Sequence, residues 1–286
     1  MLRRNVIRVV APLLCLAPLL LASCASAPKP APVEPFSLLG KDDALYIYVP
    51  VDSHTEFVTQ ALATLMGLKK SDCEKIAGRI RDLYIGTRGG EGFEVSASGD
   101  FPPNYAKLSL TKKNGWEQKT YLSHEYFVQT SSALELSVPC AENVVLSRKV
   151  QDALDRFDAL QVAGGSAAED AARAEVRSFF GPDGSGDIRF VSTRPDLFFS
   201  AFSGATLTLG VETIKGTFFS LPDRAETFGA RLALEMSDPR TVKAAVRLLQ
   251  LALFGTPAKI TMAGEGGIEI TDITMTWAEI LGLIAK

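Results

Sequence analysis

Val9–Leu21 is the one apolar run that could be considered as a membrane span, and it is too short for that task. A transmembrane helix needs about 20 apolar residues. This run ends well before that and carries Pro12 and Pro18, which oppose a continuous helix. No second membrane-length run follows. The rest of the chain is therefore expected to fold as a globular body in water. Arg3, Arg4 and Arg8 before the run and small residues after it have the arrangement of a signal peptide rather than an anchor.

The four residues that end the leader, Leu21-Ala22-Ser23-Cys24, resemble the bacterial lipobox in sequence and position. The resemblance covers only this leader. It implies that the Cys24 thiol receives a diacylglycerol, that residues 1–23 are removed, and that the new amino group is acylated with a chain such as palmitate. Burial of several acyl chains at about 0.8 kcal/mol per methylene would hold the product on a membrane. An ordinary signal peptide cut near Ala27 is the alternative. Arg3-Arg4 also looks partly like a twin-arginine signal, so the export route stays open. Ala25 stands where many enterobacterial lipoproteins kept in the inner membrane have Asp, which by analogy favours the outer membrane. Residues 24–41 carry Pro28, Pro30, Pro32 and Pro35 and read as an extended tether. At ~3.1 Å per residue it would reach roughly 50 Å.

The chain has 286 residues, with 30 basic against 33 acidic side chains, and three of the basic ones lie in the leader. What remains is acidic and has no Lys/Arg cluster, which argues against nucleic acid as a partner. Of four cysteines, Cys15 leaves with the leader and Cys24 is committed to lipid. Cys73 and Cys140 would form a disulfide in an oxidising envelope or remain as two buried thiols.

Periodicity predicts an α+β fold, two lobes of antiparallel sheet with packed helices. The first lobe spans 42–158. Ala44–Val51 reads as a strand, and two helices follow behind Ser-x-x-Glu boxes at Ser53–Glu56 and Ser71–Glu74. The second of these helices is expected to carry Cys73, Ile76, Ala77, Ile80 and Leu83 on one side and to stop near Gly86. Short strands are expected at 92–98, 106–112, 125–131, 133–139 and 143–147, then a helix over 148–157. Residues 159–186 read as a connector with a short Ala-rich helix, and 187–286 as the second lobe. There, strands are expected at 206–221 and 227–236, a helix behind Asp238-Pro239, a hairpin at 258–276 and a closing helix from Trp277 to Ala285.

Chemical motifs are sparse. Gly86–Phe93 is glycine-rich but lacks the Gly-Lys-Ser/Thr ending of a phosphate loop and reads as a turn. Asp183, Ser185 and Asp187 alternate as in a calcium loop, but Arg194 occupies the position of the bidentate Glu, so this too reads as a turn. His54 and His124 are the only histidines, and neither has a partner at metal-ligand spacing. The sequence implies no metal site, no cofactor and no catalytic motif. Phe198, Phe199, Phe202, Phe218 and Phe219 are either core or an apolar surface for a ligand. These features predict a membrane-anchored envelope lipoprotein without enzymatic activity, a binding or assembly module for an unknown envelope protein. A carrier of lipid or another hydrophobic ligand is one alternative, and a hydrolase using His54 or His124 is a weaker one. Membrane lipid, reached through acylated Cys24, is the first expected partner.

Overall fold

The computed structural model describes residues 29–88, 92–164, 171–181, 185–203 and 209–285. The folded unit spans residues 31–286; of the preceding residues only Lys29 and Pro30, both exposed, are described. Cys24 and the lipobox lie outside the described residues.

Twelve strands form a single antiparallel sheet in the order β11-β12-β10-β9-β8-β1-β2-β3-β7-β6-β5-β4. In chain order they are β1 (Leu45–Pro50), β2 (Ile80–Thr87), β3 (Phe93–Gly99), β4 (Trp116–Tyr121), β5 (His124–Gln129), β6 (Glu135–Cys140), β7 (Asn143–Ser147), β8 (Ile188–Ser192), β9 (Val211–Ser220), β10 (Thr227–Met236), β11 (Lys259–Ala263) and β12 (Gly267–Thr276). The helices are α1 (Val51–Met66), α2 (Lys70–Ala77), α3 (Pro103–Ser109), α4 (Gln151–Val162), α5 (Ala171–Phe179), α6 (Pro195–Ser203), α7 (Val242–Ala252) and α8 (Trp277–Ala285).

The two halves repeat one plan. Each opens with a strand, one or two helices and a two-strand return (β1-β2-β3 and β8-β9-β10). Each then places a helix before its last strands, and the final strand returns beside the third: β7 beside β3, β12 beside β10. The halves meet where β1 pairs antiparallel with β8, Leu45 facing Ser192 and Tyr48 facing Arg189. The two expected lobes thus share one sheet. Within the expected connector, α4 runs on to Val162 and α5 packs on that sheet: its Val176 lies with Phe36, Tyr46 and Val191.

Strand composition follows the layering. One face of the sheet carries α1, α2, α6, α7 and α8, whose apolar residues join Ile47, Leu83, Phe190, Leu232 and Ile270 in the main core, and α3, whose Ala106 packs with Met66 and Leu146 in a neighbouring cluster. The other face is covered over the central and first-half strands by residues 33–39, α4 and α5. Strands covered on both faces read as continuous apolar runs, and β8 is buried at all five positions. β10 is covered on one face only, so Leu232, Leu234 and Met236 alternate with exposed Arg231, Ala233 and Glu235. Gly216 permits the tightest contact in this core: a Cβ there would meet the Phe190 ring at 2.2 Å.

Four expectations need correction. The second helix ends at Ala77, and Ile80–Thr87 is strand β2, held between β1 and β3. Consequently the glycine-rich turn joins two strands rather than a helix and a strand; residues 89–91 themselves are outside the described set. Residues 103–109 form helix α3, although 106–112 alternate like a strand. β4 was not anticipated, because this sheet-edge strand exposes Glu117, Gln118, Lys119 and Thr120 on both faces. Neither Ser-x-x-Glu box caps its helix: α1 starts at Val51 and α2 at Lys70, with no side-chain cap at either start. Asp238 does cap, accepting the Arg240 N–H before Pro239 leads into α7.

Candidate functional site

Alternation along β2, β3, β6 and β7 sends Leu83, Val95, Leu136 and Leu146 to the helical face. Leu62 and Met66 of α1 approach from above, and α3 closes the space with Ala106. These surfaces do not quite meet. They leave a cavity of about 100 Å³ whose wall is almost wholly apolar. Arg79 and Tyr105 supply its polar end, the guanidinium 4.7 Å from the ring centroid and 3.6 Å from the Asp100 carboxylate. A pocket lined in this way favours apolar guests. It is smaller than the usual 300–1,000 Å³ of a ligand pocket, so a guest larger than the end of a hydrocarbon chain requires its roof to move. The seven-residue α3 is the shortest roofing element, lacks a side-chain cap and points Leu108 into solvent.

The five phenylalanines singled out in the sequence do not form a surface together. Phe198, Phe199 and Phe218 are core residues, each 4% exposed or less, and Phe190 stacks against Phe198 and Phe218 at 5.4 and 4.7 Å. Phe219 points to the other face. Its ring covers Gly229, where a Cβ would come within 2.3 Å, and Arg231 lies 5.0 Å from its centroid. The Phe202 side chain lies outside the described residues. Phe218 and Phe219 thus serve opposite faces of the sheet, as pleating dictates, whereas Phe198 and Phe199 both reach the core from helix α6.

Cys73 and Cys140 are free thiols. Cys73 is buried in α2, on the main helical face. A bulge between Ser137 and Cys140 turns Cys140 to the opposite face, where its thiol donates to Asn143 Oδ1 at 3.2 Å. The sheet stands between them.

The histidines have structural partners. His124 Nε2 lies 2.8 Å from Asp158 Oδ1, and its ring meets Phe157 edge-on. His54 sits at a kink in α1 (φ −134°, ψ 31°), with Nε2 2.7 Å from the Gly186 carbonyl. Burial lowers its pKa below the ordinary imidazole range. Among the described residues, no three His, Cys, Asp or Glu side chains are placed to hold a metal ion.

The second conspicuous arrangement is a strap. Residues 31–40, expected as free tether, lie across the less helical face and are clamped there. Val33 exchanges two 2.9 Å hydrogen bonds with the Asn143 side chain, and Ala31 exchanges two with Gln161. Arg173, 8% exposed, donates to the carbonyls of Phe36, Leu39 and Gly40 and lies over the Phe36 ring. Arg156 donates to the Leu38 carbonyl, and Glu94 accepts the Gly40 N–H. Phe36, Leu38 and Leu39 are at most 1% exposed. The strap therefore takes residues 31–40 out of the expected tether and makes them part of the folded unit. Beside the strap, Asp43 is enclosed with one oxygen on Arg88 at 3.1 Å and the other without a hydrogen-bond partner among the described residues. Burial, reinforced by Glu94, raises its pKa to about 6.

The family model described as outer membrane-associated lipoprotein TP0453 matches residues 30–281. The chain belongs to this family. Membership makes the protein a lipid-anchored lipoprotein of the bacterial cell envelope, associated with the outer membrane. Two solved structures of TP0453 share the fold. Crystal form I superposes with a TM-score of 0.67 at 17% identity, covering 89% of this chain and 97% of that one. Crystal form III gives 0.64 at 16% identity, covering 88% and 98%. No curated protein matches the chain at the sequence level. The matched span includes the strap.

Proposed function

We propose that this lipoprotein is a non-enzymatic binding module that takes an apolar chain, of the kind carried by lipids, into the cavity beneath α1, α2 and α3. Acylated Cys24 holds it on the membrane, after export behind a cleaved signal peptide. The observation that carries the reading is the apolar cavity, roofed by a short, uncapped helix and floored by four strands of the sheet. A sheet floor with a movable roof allows entry without unfolding. Native mass spectrometry of the Cys24→Ala protein, purified without detergent, tests the reading. Substoichiometric retention of fatty acyl species is expected, and Ala106→Leu, which fills the cavity from α3, is expected to reduce it at least tenfold. Equal retention by both proteins, or none by either after incubation with fatty acid, refutes the proposal.

A second reading, docking of another envelope protein, is favoured by the far edge of the sheet. There Leu251 of α7, Phe254 and Met262 of β11 are 74%, 87% and 57% exposed.

A further inference from the structure

The short free arm restricts which side of the body can meet the lipid. Strand direction places several features at one end of the sheet. The β4–β5 turn at Leu122-Ser123 and the β6–β7 turn at Ala141-Glu142 lie at that end, because alternate turns of an antiparallel meander share a side. Asn143 follows the second turn directly and holds Val33. α4 starts after the opposite end of β7 and runs back, passing Asp155 against Tyr121 and Asp158 against His124 on either side of the Leu122 turn. It finishes at Gln161, which holds Ala31, and Val162. The last fastened residue of the strap thus emerges between a hairpin tip and a helix end.

Both carry an apolar side chain into solvent. Val162 is 92% exposed and Leu122 is 69% exposed. Leu122 also has a left-handed backbone, φ 51°, at the first position of a two-residue turn, where glycine is the ordinary occupant. A leucine at such a tip loses backbone energy and gains no packing within the chain.

We propose that the Leu122 turn and the Val162 end of α4 are the surface by which the body rests on the lipid monolayer that holds its own acyl chains. This inference rests on acylation of Cys24. Seven residue steps, at most about 3.5 Å each, keep Ala31 within about 25 Å of an acylated Cys24, less than the thickness of a domain of this size. The body cannot turn its far edge to the monolayer without withdrawing the root of the arm. Asp152, Asp155 and Asp158 along α4 make a zwitterionic surface the better fit than an anionic one.

The test uses full-length acylated protein in phosphatidylcholine vesicles, with one nitroxide at a time at Leu122→Cys, Val162→Cys, Leu251→Cys or Met262→Cys in a Cys140→Ser background. Labels at 122 and 162 are expected to be shielded from a water-soluble relaxation agent and reached by oxygen, with those at 251 and 262 fully aqueous. Labels at 122 and 162 as wet as in the unanchored Cys24→Ala protein overturn the proposal. So does shielding at 251 or 262 that matches or exceeds theirs. The mass of the N-terminal peptide separates the two readings: protein recovered without acyl chains removes the anchoring and this orientation together, whereas acylated protein with wet labels removes the orientation alone.

Discussion

Replacing Arg173 by methionine removes the polar clamp of the strap, while methionine keeps an apolar stem against the Phe36 ring. Arg173 donates to three carbonyls at 2.7, 2.6 and 3.1 Å. Two of these keep a partner in the variant: Phe36 O still accepts the Leu39 N–H, and Gly40 O still accepts the Tyr46 hydroxyl. Among the described residues, Leu39 O is the one left bare. Hydrogen bonds to a charged group contribute about 1.5–3 kcal/mol each, and removing a buried guanidinium relieves part of its desolvation cost. The net loss is therefore about 3–5 kcal/mol. At 1.4 kcal/mol per factor of ten, local opening becomes roughly a hundred- to four-thousand-fold more frequent. Hydrogen exchange of residues 33–40, followed by mass spectrometry alongside urea unfolding of the whole protein, reads this directly. Strap amides such as Leu39 should exchange faster by that factor while central amides of β1 follow global stability. A change below tenfold in the strap refutes the assignment of Arg173 as its principal clamp.

Two further outcomes follow from local geometry. The Asp43 pKa of about 6 lies above the ordinary aspartate value of 3.8, so the folded state binds the proton more tightly. The stability this contributes is fully present below pH ~4 and lost as pH rises through about 6, worth about 3 kcal/mol. Urea titrations at pH 4.5 and 7.5 should show wild type losing most of that amount relative to Asp43→Asn, and parallel pH profiles would contradict the burial argument. Leu122→Gly removes a left-handed leucine that costs roughly 1–2 kcal/mol, partly offset by the greater freedom of glycine in the unfolded chain. A melting temperature raised by a few degrees is expected, and a lowered one would show that the Leu122 side chain packs after all.

The parts of this fold that were legible in the sequence are those whose pattern is local. β10 and α8 fall where alternation and helical spacing put them, and Asp238 caps as its residue type suggests. β2 was hidden because Cys73, Ile76, Ala77, Ile80 and Leu83 continue a helical spacing through Gly78; what makes Ile80–Thr87 a strand is pairing with β1 and β3. The strap was hidden by its prolines, although Val33, Phe36, Leu38 and Leu39 among them were a sign that it packs. The cavity has no linear signature, since its lining comes from three helices and four strands that meet only in the assembled sheet.

Antiparallel pairing of β1 with β8 also determines how the molecule could be divided. Cutting the chain before Ile188 would strip β1 of its neighbour along Leu45–Tyr48 and leave Val191 and Tyr46 without the apolar company they keep. Each fragment would then present a fresh row of unsatisfied amides and carbonyls, a template for sticking to any extended polypeptide nearby. The duplicated plan therefore yields no pair of independent proteins, and synthesis has to deliver both copies before either has a finished margin.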